Sequence, residues 1–541
     1  MASSAHARAP RTRGRAHFAT RGPVAGRASP NHRSAPLGGR AGAARSAGRR
    51  RGTAPSPAGP RRSGDPCRVG GGARRAPRPE GPGAAVKVCV VAHGCRLSRA
   101  EQDGIEAEVA RAGHDVVDTP AEADVLWLDT CAVTARADAD ARKAVRRAVR
   151  ERPGLKVILS GCYAALAPET CASLEGVVAV VGNQGKRADL IADLLETPGA
   201  CPPSSAHLVP ASALTAHIGV PRARRGTWPA VADLPASSPR ARTRALLRVQ
   251  DGCDHACSYC IVPPVRGPSR SLPPREVERR FADLAAAGVP EVVLTGAHLG
   301  TYGRDLAPRT DLAGLLGRLV ERAGATRIRL SSLDPHEVDD ALLDVMAAHG
   351  DRVCPHLHLP LQSGDDRILR GMRRAYAARA FADAVARVRA RIPHVTIGTD
   401  VIAGFPGEDD AAFDATCDLL LRARVDYVHA FAFSPRSGTA AATMEPRVPP
   451  RVVGDRIARL RRISQAGNEA LAARWAGRTV DVVFDRFPRG GVLRGVSEAY
   501  LRLEADRDRP ALRGARVRGV VAACGRRVVV PPVEATGAAG P

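Results

Sequence analysis

Two stretches of the chain, 86–196 and 244–450, alternate short β-branched runs with Ala-, Glu- and Arg-rich segments of helical period. This alternation predicts parallel βαβ units, because neighbouring parallel strands need a long crossover, which a helix supplies. In the first stretch it predicts strands at "VKVCVVAHG", "ADVLWLD" and "LKVILSG", and helices near 99–112, near 137–150 and after Pro168. We therefore expect an α/β fold that begins with a parallel α/β domain.

The second stretch predicts six more strands, at "ALLRVQ", "EVVLTG", "TRIRLSS", "CPHLHLP", "VTIGTDVIAG" and "DYVHAFAF". Six strand–helix repeats are too few for a closed eightfold barrel, so they predict an open, partial (β/α)6 barrel with its site at the carboxyl ends of the strands. A charged connecting helix is predicted over 451–475. Five short strands within 476–535 then predict a small β-barrel, at "TVDVVF", "VLRGVS", "AYLRLE", "ARVRGVVAA" and "RRVVV".

The remaining segments stand out by composition. Residues 1–85 hold 18 arginines and two acids without apolar periodicity, which predicts a disordered basic extension. Residues 197–243 are rich in Pro, Ser and Ala and are interpreted as a linker, and 536–541 as a tail. Of the formal charge of +26, +16 lies in the extension, so the rest of the chain is moderately basic and favours a polyanionic partner.

Composition also narrows the class of protein. The longest apolar runs, such as "VVAVV", are far too short to span a bilayer, so no membrane partner is expected. Thirteen cysteines in 541 residues fit metal ligation in a reducing cytoplasm better than a disulfide framework. Aromatic residues make up only 3% of the chain, so contacts with RNA should depend on arginine.

A cysteine follows each of the three strands predicted in the first stretch. These are Cys95 in "HGCRLS", Cys131 in "DTCAVT" and Cys162 in "SGCYA". Loops at the carboxyl ends of parallel strands face one crevice, where ligands bind in open α/β sheets. We expect the three thiols to converge there, although packing of free cysteines in a core is the plainer alternative.

Three more cysteines, Cys253, Cys257 and Cys260, lie within "DGCDHACSYC" after the first strand of the second stretch. Structural zinc takes four ligands, usually as two pairs, and the next cysteine, Cys354, is far along the chain. Three thiolates on a short loop suit an iron–sulfur cubane with one iron open to a substrate or cofactor. Incidental thiols or a zinc knuckle are the alternatives.

Motifs spread over roughly 86–531 resemble, in content and order, those of the radical S-adenosylmethionine methylthiotransferase family. They are "HGCRLSRAE", "DTCAVT", "SGCYA", "VQDGCDHACSYCIVPPVRGPSRS", "VVLTGAHLGTYG", "IRLSSLDP", "HLPLQSGDDRILRGMRR", "TDVIAGFPGE" and "SPRSGTAAATM". "GCR" and the stretch with His298 and Tyr302 are most similar to the branch that acts on N6-threonylcarbamoyladenosine in tRNA. The alternatives within the family are branches that act on N6-isopentenyladenosine or on a ribosomal-protein aspartate.

The resemblance implies two 4Fe-4S clusters, one on each cysteine triad, and S-adenosyl-L-methionine both as the radical source and as the methyl donor. It implies hydrogen abstraction from carbon 2 of adenosine 37 in the tRNA anticodon stem-loop, followed by insertion of sulfur and methylation. It further implies a terminal barrel of the RNA-binding TRAM type, an electron donor such as flavodoxin or ferredoxin, and a sulfur source. The residues that match the family's cofactor pocket are Tyr259, Thr295, Gly296, Gln362, Thr399 and Asp400.

The chain departs from the family pattern near the first triad. Leu97 and Ser98 stand where Val-Asn is usual, and Asp129 stands where Asn is usual. These changes affect the surroundings of the first cluster and remove none of its cysteines. A hypothesis of another class is a non-catalytic iron–sulfur or zinc protein that binds RNA through its basic surface and its terminal barrel.

Overall fold

The computed structural model describes residues 85–183, 207–208, 243–488, 490–505, 509–522 and 526–530. The predictions for the tail and almost all of the extension and the linker lie outside these residues. Among the described residues, no helix is both long enough and apolar enough to cross a bilayer.

The first domain is a parallel sheet in the strand order β2-β1-β3-β4-β5-β6. Its strands are β1 (Lys87–His93), β2 (Asp115–Val117), β3 (Val125–Thr130), β4 (Lys156–Gly161), β5 (Val177–Val181) and β6 (His207–Leu208). Its helices are α1 (Arg96–Arg111), α2 (Ala135–Glu151), α3 (Cys162–Leu166) and α4 (Pro168–Ala172). The three predicted strands are the consecutive sheet neighbours β1, β3 and β4, which confirms the predicted parallel α/β domain.

Local signals in the sequence fix where the first helices begin and end. The Thr134 side chain accepts a hydrogen bond from the amide of Ala137 at the start of α2, as an N-cap does. Gly113, with φ of +83°, follows the end of α1. The strands β2, β5 and β6 were not predicted. The two-residue strand β6 lies inside the segment interpreted as a linker, and β2 and β6 are too short to show any periodicity.

The central domain is a partial barrel of six parallel strands. They are β7 (Arg244–Arg248), β10 (Glu291–Thr295), β11 (Arg327–Leu330), β12 (His356–His358), β13 (Thr396–Ala403) and β14 (Tyr427–Ala432), and a short hairpin of β8 (Gln250–Asp251) and β9 (Arg270–Ser271) precedes β10. Strands β7, β10 and β11 form one sheet and β12, β13 and β14 another, and a parallel bridge between Ser332 and His358 joins them. The predicted partial (β/α)6 barrel is confirmed.

Most helices of this domain share one buried core with its strands. They are α5 (Val262–Arg266), α6 (Pro274–Ala286), α7 (Leu312–Glu321), α8 (Asp340–Ala348), α9 (Asp366–Gly371), α10 (Ala378–Arg391) and α11 (Asp410–Arg422). Phe281, Leu316 and Val385 on these helices share one buried core with Ile397 and Val401 of β13. Side chains alternate along a strand. The strand residues on the face opposite these apolar positions therefore face the interior of the barrel.

The long helix α12 (Pro450–Trp475) leads to a closed barrel with the strand order β15-β16-β17-β19-β18, which confirms the predicted terminal barrel. Its strands are β15 (Thr479–Phe484), β16 (Arg494–Ser497), β17 (Arg502–Ala505), β18 (Arg516–Val521) and β19 (Arg527–Val529). Buried Arg327 and Arg329 donate hydrogen bonds to the carbonyls of Val496 and Ser497, 2.7 and 2.9 Å away. Glu291 pairs with both arginines, so the terminal barrel is attached to the central one through polar contacts.

Candidate iron–sulfur cluster site

The first cysteine triad lies at aligned ends of neighbouring strands. His93 of β1 is paired with Thr130 of β3, which is paired with Gly161 of β4, and the three cysteines follow within two residues. Cys95 is exposed at the start of α1, whereas Cys131 and Cys162 are buried. The structure therefore brings Cys95, Cys131 and Cys162 to one edge of the sheet, as the sequence predicted.

The backbone at Gly161 makes this convergence possible. Its φ of +98° lies in the region that favours glycine, and a Cβ at this position would lie 2.3 Å from the carbonyl oxygen of Thr130. Strand β4 can therefore approach β3 closely at the turn that carries Cys162. A side chain here would push the cysteine away from its neighbours.

Each thiol of this triad has a polar neighbour suited to a thiolate ligand. The amide of Val133 donates to Cys131 Sγ at 3.5 Å, and Asn183 Nδ2 donates to Cys162 Sγ at 3.4 Å. Ser98 Oγ lies 4.0 Å from Cys95 Sγ. A hydrogen bond from Cys131 lowers the pKa of Cys95 to about 6, whereas burial raises the pKa of Cys162. N–H···S contacts of this kind tune iron–sulfur clusters, so the thiols fit that group.

The second triad lies on the loop that connects β8 to α5. The amide of His255 donates to Cys253 Sγ at 3.4 Å, and the amide of Val262 donates to Cys260 Sγ at 3.4 Å. The buried guanidinium of Arg374 donates to Cys257 Sγ at 3.3 Å. All three thiols thus receive N–H donors from different sources, a donor set that again fits a cluster.

His298, in the loop that follows β10, contacts Cys253. Its Nδ1 lies 3.5 Å from Cys253 Sγ, and its Nε2 lies 2.9 Å from a carboxylate oxygen of buried Glu337. Burial alone would lower the pKa of His298, but the contacts with Cys253 and Glu337 raise it to about 10. The imidazolium form is therefore favoured next to Cys253.

Three of the predicted pocket residues lie on the loop between β8 and α5 or at the end of β10. Tyr259 packs against the apolar group of Ile368, Met372 and Phe405. Thr295 is buried at the end of β10. At Gly296 a Cβ would lie 2.7 Å from Gln250 Oε1, so only glycine leaves room for that side chain. Their predicted contacts with S-adenosylmethionine stay predictions.

The other three predicted pocket residues have distinct surroundings. Gln362 has φ of +67°, and its buried Oε1 has no hydrogen-bond partner among the described residues, so it is available to a ligand. The Thr399 hydroxyl donates to the Leu359 carbonyl at 2.6 Å and accepts from the Leu361 amide, so it positions the 359–361 turn. Asp400 lies on the opposite face of β13. Their cofactor roles also stay predictions.

Asp400 takes part in a polar network inside the barrel. Its Oδ1 lies 2.8 Å from His358 Nε2 and 3.2 Å from His429 Nδ1. The Tyr427 hydroxyl lies between His358 and His356, at 3.1 and 2.8 Å. Burial alone would raise the pKa of Asp400, but His358 and His429 lower it, which keeps this carboxylate ionised.

Direct contacts join the surroundings of the two triads. Asn183, which donates to Cys162, also donates to the carbonyl of Val265, 3.0 Å away in α5, the helix that follows Cys260. Arg266 at the end of α5 is buried and pairs with Glu101 of α1 at 2.9 Å and with Asp251 at 3.0 Å. The surroundings of the two triads are therefore linked through α5.

Comparisons with known proteins agree with this geometry. Residues 87–182 match the "Uncharacterized protein family UPF0004", and residues 247–420 match the "Radical SAM superfamily". The chain is 32% identical over 415 residues to the threonylcarbamoyladenosine tRNA methylthiotransferase MtaB of Bacillus subtilis, which covers 76% of this chain and 88% of the relative. The chain belongs to the radical SAM methylthiotransferase family.

Other methylthiotransferase relatives are similarly distant. The MtaB protein of Rickettsia prowazekii is 34% identical over 373 residues, covering 69% of this chain and 81% of the relative. A relative from Moorella thermoacetica named tRNA-2-methylthio-N(6)-dimethylallyladenosine synthase is 32% identical over 406 residues, covering 73% and 86%. Overall identity therefore does not separate the two adenosine substrates.

Several residues that build the site in this methylthiotransferase were not predicted. Gln250 accepts from the amide of His298 at 2.7 Å and donates to the Gly252 carbonyl at 2.8 Å, so it joins the cysteine loop to the loop after β10. Glu101, Arg266 and Arg374 were also missed. Their partners are distant in sequence, and a charged residue in a helix or loop is usually solvated, so no local signal marked them.

The departures from the family pattern have simple local outcomes. Leu97 is buried in the first domain, and Ser98 lies beside Cys95. Asp129 is buried and accepts a hydrogen bond from Ser160 at 2.7 Å, while Trp127 donates to that same serine. The substitutions therefore preserve a packed, hydrogen-bonded support beneath the first triad.

Proposed function

We propose that this chain is a tRNA methylthiotransferase that converts N6-threonylcarbamoyladenosine at position 37 to its 2-methylthio derivative. The observation that carries the proposal is the pair of cysteine triads whose surroundings are linked through α5, each with hydrogen-bond donors to its sulfurs. In such a protein the clusters and S-adenosylmethionine supply the radical, sulfur and methyl chemistry. The protein holds, orients and shields these groups.

Specific residues would carry out those tasks. Cys253, Cys257 and Cys260 would hold the radical cluster, with the guanidinium of Arg374 next to Cys257 Sγ and the imidazole of His298 in contact with Cys253 Sγ. Hydrogen bonds to the sulfurs and nearby charge set the reduction potential of such a group. Cys95, Cys131 and Cys162 would hold the second cluster, where sulfur is delivered.

The other participants of the reaction belong to the same proposal. Reduction of the radical cluster needs an electron donor, for which a flavodoxin or a ferredoxin is the expected partner, and the inserted sulfur needs its own source. The tRNA anticodon stem-loop is the expected nucleic acid. Because both tRNA and reduced thiols are cytoplasmic, we place the reaction in the cytoplasm.

A second candidate substrate is N6-isopentenyladenosine in tRNA, favoured by the 32% identity to the Moorella thermoacetica relative. Mass spectrometry of nucleosides from a deletion strain would separate the candidates. The proposal expects loss of the 2-methylthio derivative of threonylcarbamoyladenosine. Loss of the isopentenyl derivative instead, or loss of a modification on a ribosomal protein, would contradict the substrate assignment.

The catalytic proposal is tested by two matched variants, prepared and reconstituted without air. Cys253→Ala should abolish formation of 5′-deoxyadenosine from S-adenosylmethionine under reducing conditions. Cys95→Ala should retain 5′-deoxyadenosine formation and lose the methylthio product. A wild-type chain that binds zinc, or yields no 5′-deoxyadenosine, would support the non-catalytic RNA-binding hypothesis instead.

A further inference from the structure

Tyr500 of the terminal barrel reaches the interior of the central one. It lies in the turn between β16 and β17 with φ of +64°, a left-handed conformation that bulky residues rarely adopt. Its ring stacks on His356 with centroids 4.1 Å apart and contacts Tyr427 at 5.4 Å. Residues held in such conformations concentrate at functional sites, because the surrounding contacts must offset the strain.

The first domain also reaches Tyr500, through the residue next to a predicted cluster ligand. Arg96, which follows Cys95, donates from Nη2 to the Tyr500 hydroxyl at 3.3 Å. Among the described residues, no carboxylate lies within ion-pair distance of Arg96 or of Arg502, the first residue of β17. In the described part of the chain, the partner of the half-buried Arg96 guanidinium is a phenol hydroxyl, so this charge has lost water without gaining an anion, which is unfavourable.

The surroundings of Tyr500 are strongly positive. Arg329 lies over its ring, 5.2 Å from the centroid. Burial raises the pKa of Tyr500, but the four arginines around it, Arg96, Arg502, Arg244 and Arg329, lower it more. The acids of this region already have partners, since Glu498 accepts from the Asp481 amide, Glu291 pairs with Arg329 and Asp400 pairs with two histidines. Within the part of the chain that the structure describes, neither Arg96 nor Arg502 therefore forms an ion pair with a carboxylate.

An open space adjoins Tyr500 and Arg502. A cavity of about 440 Å³ is lined by Tyr427, His429, Tyr500, Arg502 and Arg526 and by one face of α12 that includes Glu469. Arg96 is connected to this cavity through the Tyr500 hydroxyl. This volume is within the range of pockets that take small ligands. Aromatic rings next to arginines are suited to a nucleobase with an anionic substituent.

We propose that Arg96, Arg502 and the Tyr500 hydroxyl form an anion site that binds the carboxylate of the threonylcarbamoyl group on the substrate base. This inference rests on the proposed function. Arg96 directly follows Cys95 in the chain, so a ligand of Arg96 would bind in the neighbourhood of the first triad, and the carboxylate belongs to the same base as carbon 2. A phosphate of the RNA backbone offers the same oxygen chemistry and is the competing source of the anion.

The anion site also accounts for discrimination between substrates. An isopentenyl group is neutral and apolar, so its binding would leave Arg96 desolvated and unpaired. A site built to bind a polar group rejects an analogue that lacks it far more strongly than an apolar pocket rejects a polar analogue. Arg96 thus selects the threonylcarbamoyl base over the isopentenyl base.

The test measures binding of labelled anticodon stem-loops to the reconstituted full chain under argon. Three RNAs carry threonylcarbamoyladenosine, its neutral carboxamide analogue, or adenosine at position 37. Arg96→Gln should weaken binding of the first RNA by about tenfold to a hundredfold, the loss of a charge-assisted contact, and should leave the other two within about twofold. The matched control is Arg379→Gln, whose side chain is 90% exposed on α10, and it should change none of the three.

Two other results would overturn the inference. An equal loss on all three RNAs, with a weaker dependence of affinity on salt, would assign the anion to a backbone phosphate. An unchanged affinity for all three would show that there is no anion site. Tyr500→Phe, which removes only the hydroxyl, should weaken only the threonylcarbamoyl RNA, by a smaller factor than Arg96→Gln does.

The design separates this inference from the proposed function. Iron content reports whether Arg96→Gln keeps the cluster on Cys95, and Arg96→Lys, which keeps the charge, should regain part of the affinity. If the wild-type chain binds the carboxylate RNA selectively but methylthiolates none, the proposed function fails and the anion site stands. If it methylthiolates that RNA without discriminating it from the carboxamide, only the anion site fails.

Discussion

The contact between Glu101 and two arginines offers a sharp test of how the first domain is docked on the central one. Glu101 of α1 accepts hydrogen bonds from Arg248 at 2.8 Å and from Arg266 at 2.9 Å. The Glu101 and Arg266 side chains are 1% and 2% exposed. Glu101→Gln keeps the shape, removes the charge and places an amide donor against guanidinium donors.

The expected magnitude follows from burial. Removing one partner of a buried ion pair costs about 3–5 kcal/mol, because the other charge stays buried. Asp251 still pairs with Arg266 at 3.0 Å, so the lower end, about 3 kcal/mol, applies. Because Glu101 and its arginines belong to different domains, the loss falls on their docking, which should weaken more than a hundredfold.

Urea unfolding under argon measures the loss of stability, and product analysis measures its effect on function. Glu504→Gln is the control, since its pair with Arg494 has side chains 37% and 55% exposed and should contribute only a few tenths of a kcal/mol. Glu101→Gln should retain 5′-deoxyadenosine formation and lose most of the methylthio product. A stability within about 0.5 kcal/mol of wild type, comparable to a surface substitution, would refute the reasoning.

Three further outcomes follow from the structure. In Gly161→Ala the added Cβ would lie 2.3 Å from the Thr130 carbonyl oxygen, so the substitution should displace Cys162. The iron content should fall by half while 5′-deoxyadenosine formation is retained, and a full iron content would contradict this. Gln250→Leu leaves the amide of His298 and the carbonyl of Gly252 without their buried partner, so the rate of 5′-deoxyadenosine formation should fall sharply, and an unchanged rate would exclude this role. Burial raises the pKa of Cys354 from about 9 to about 11. The contribution of this thiol to the free energy of unfolding is therefore fully present below pH 9 and is lost as pH rises through 11. The free energy of unfolding should therefore fall less steeply over that interval in Cys354→Ala, and equal slopes would show that Cys354 makes no contribution.

Much of the architecture could be predicted because it depends on local patterns. The apolar strands and amphipathic helices predict both βα series, and a cysteine after β1, β3 and β4 needs only the geometry of parallel strands to predict convergence. The short strands β2 and β6 could not be predicted, since three and two residues carry no period. Their positions depend on neighbours in the sheet.

The buried ion pairs and hydrogen bonds around the site could not be predicted from the sequence, for a different reason. Glu101 and Arg266 are 165 residues apart, and each alone resembles a solvated charge. Thr399 was predicted from the family pattern as a pocket residue, and its hydrogen bonds to backbone groups of Leu359 and Leu361 carry no signal in the sequence. Tyr500 gave no signal, because its role arises only when the two barrels meet.

The most direct measurement is the iron and sulfide content of the chain reconstituted without air, compared between wild type and two triple variants. The account predicts about eight irons in wild type, and about four when either triad, Cys95, Cys131 and Cys162 or Cys253, Cys257 and Cys260, is replaced by alanine. It also predicts that only the second variant loses 5′-deoxyadenosine formation. Zinc in place of iron, or an iron content unaffected by replacing one triad, would contradict the two-cluster site.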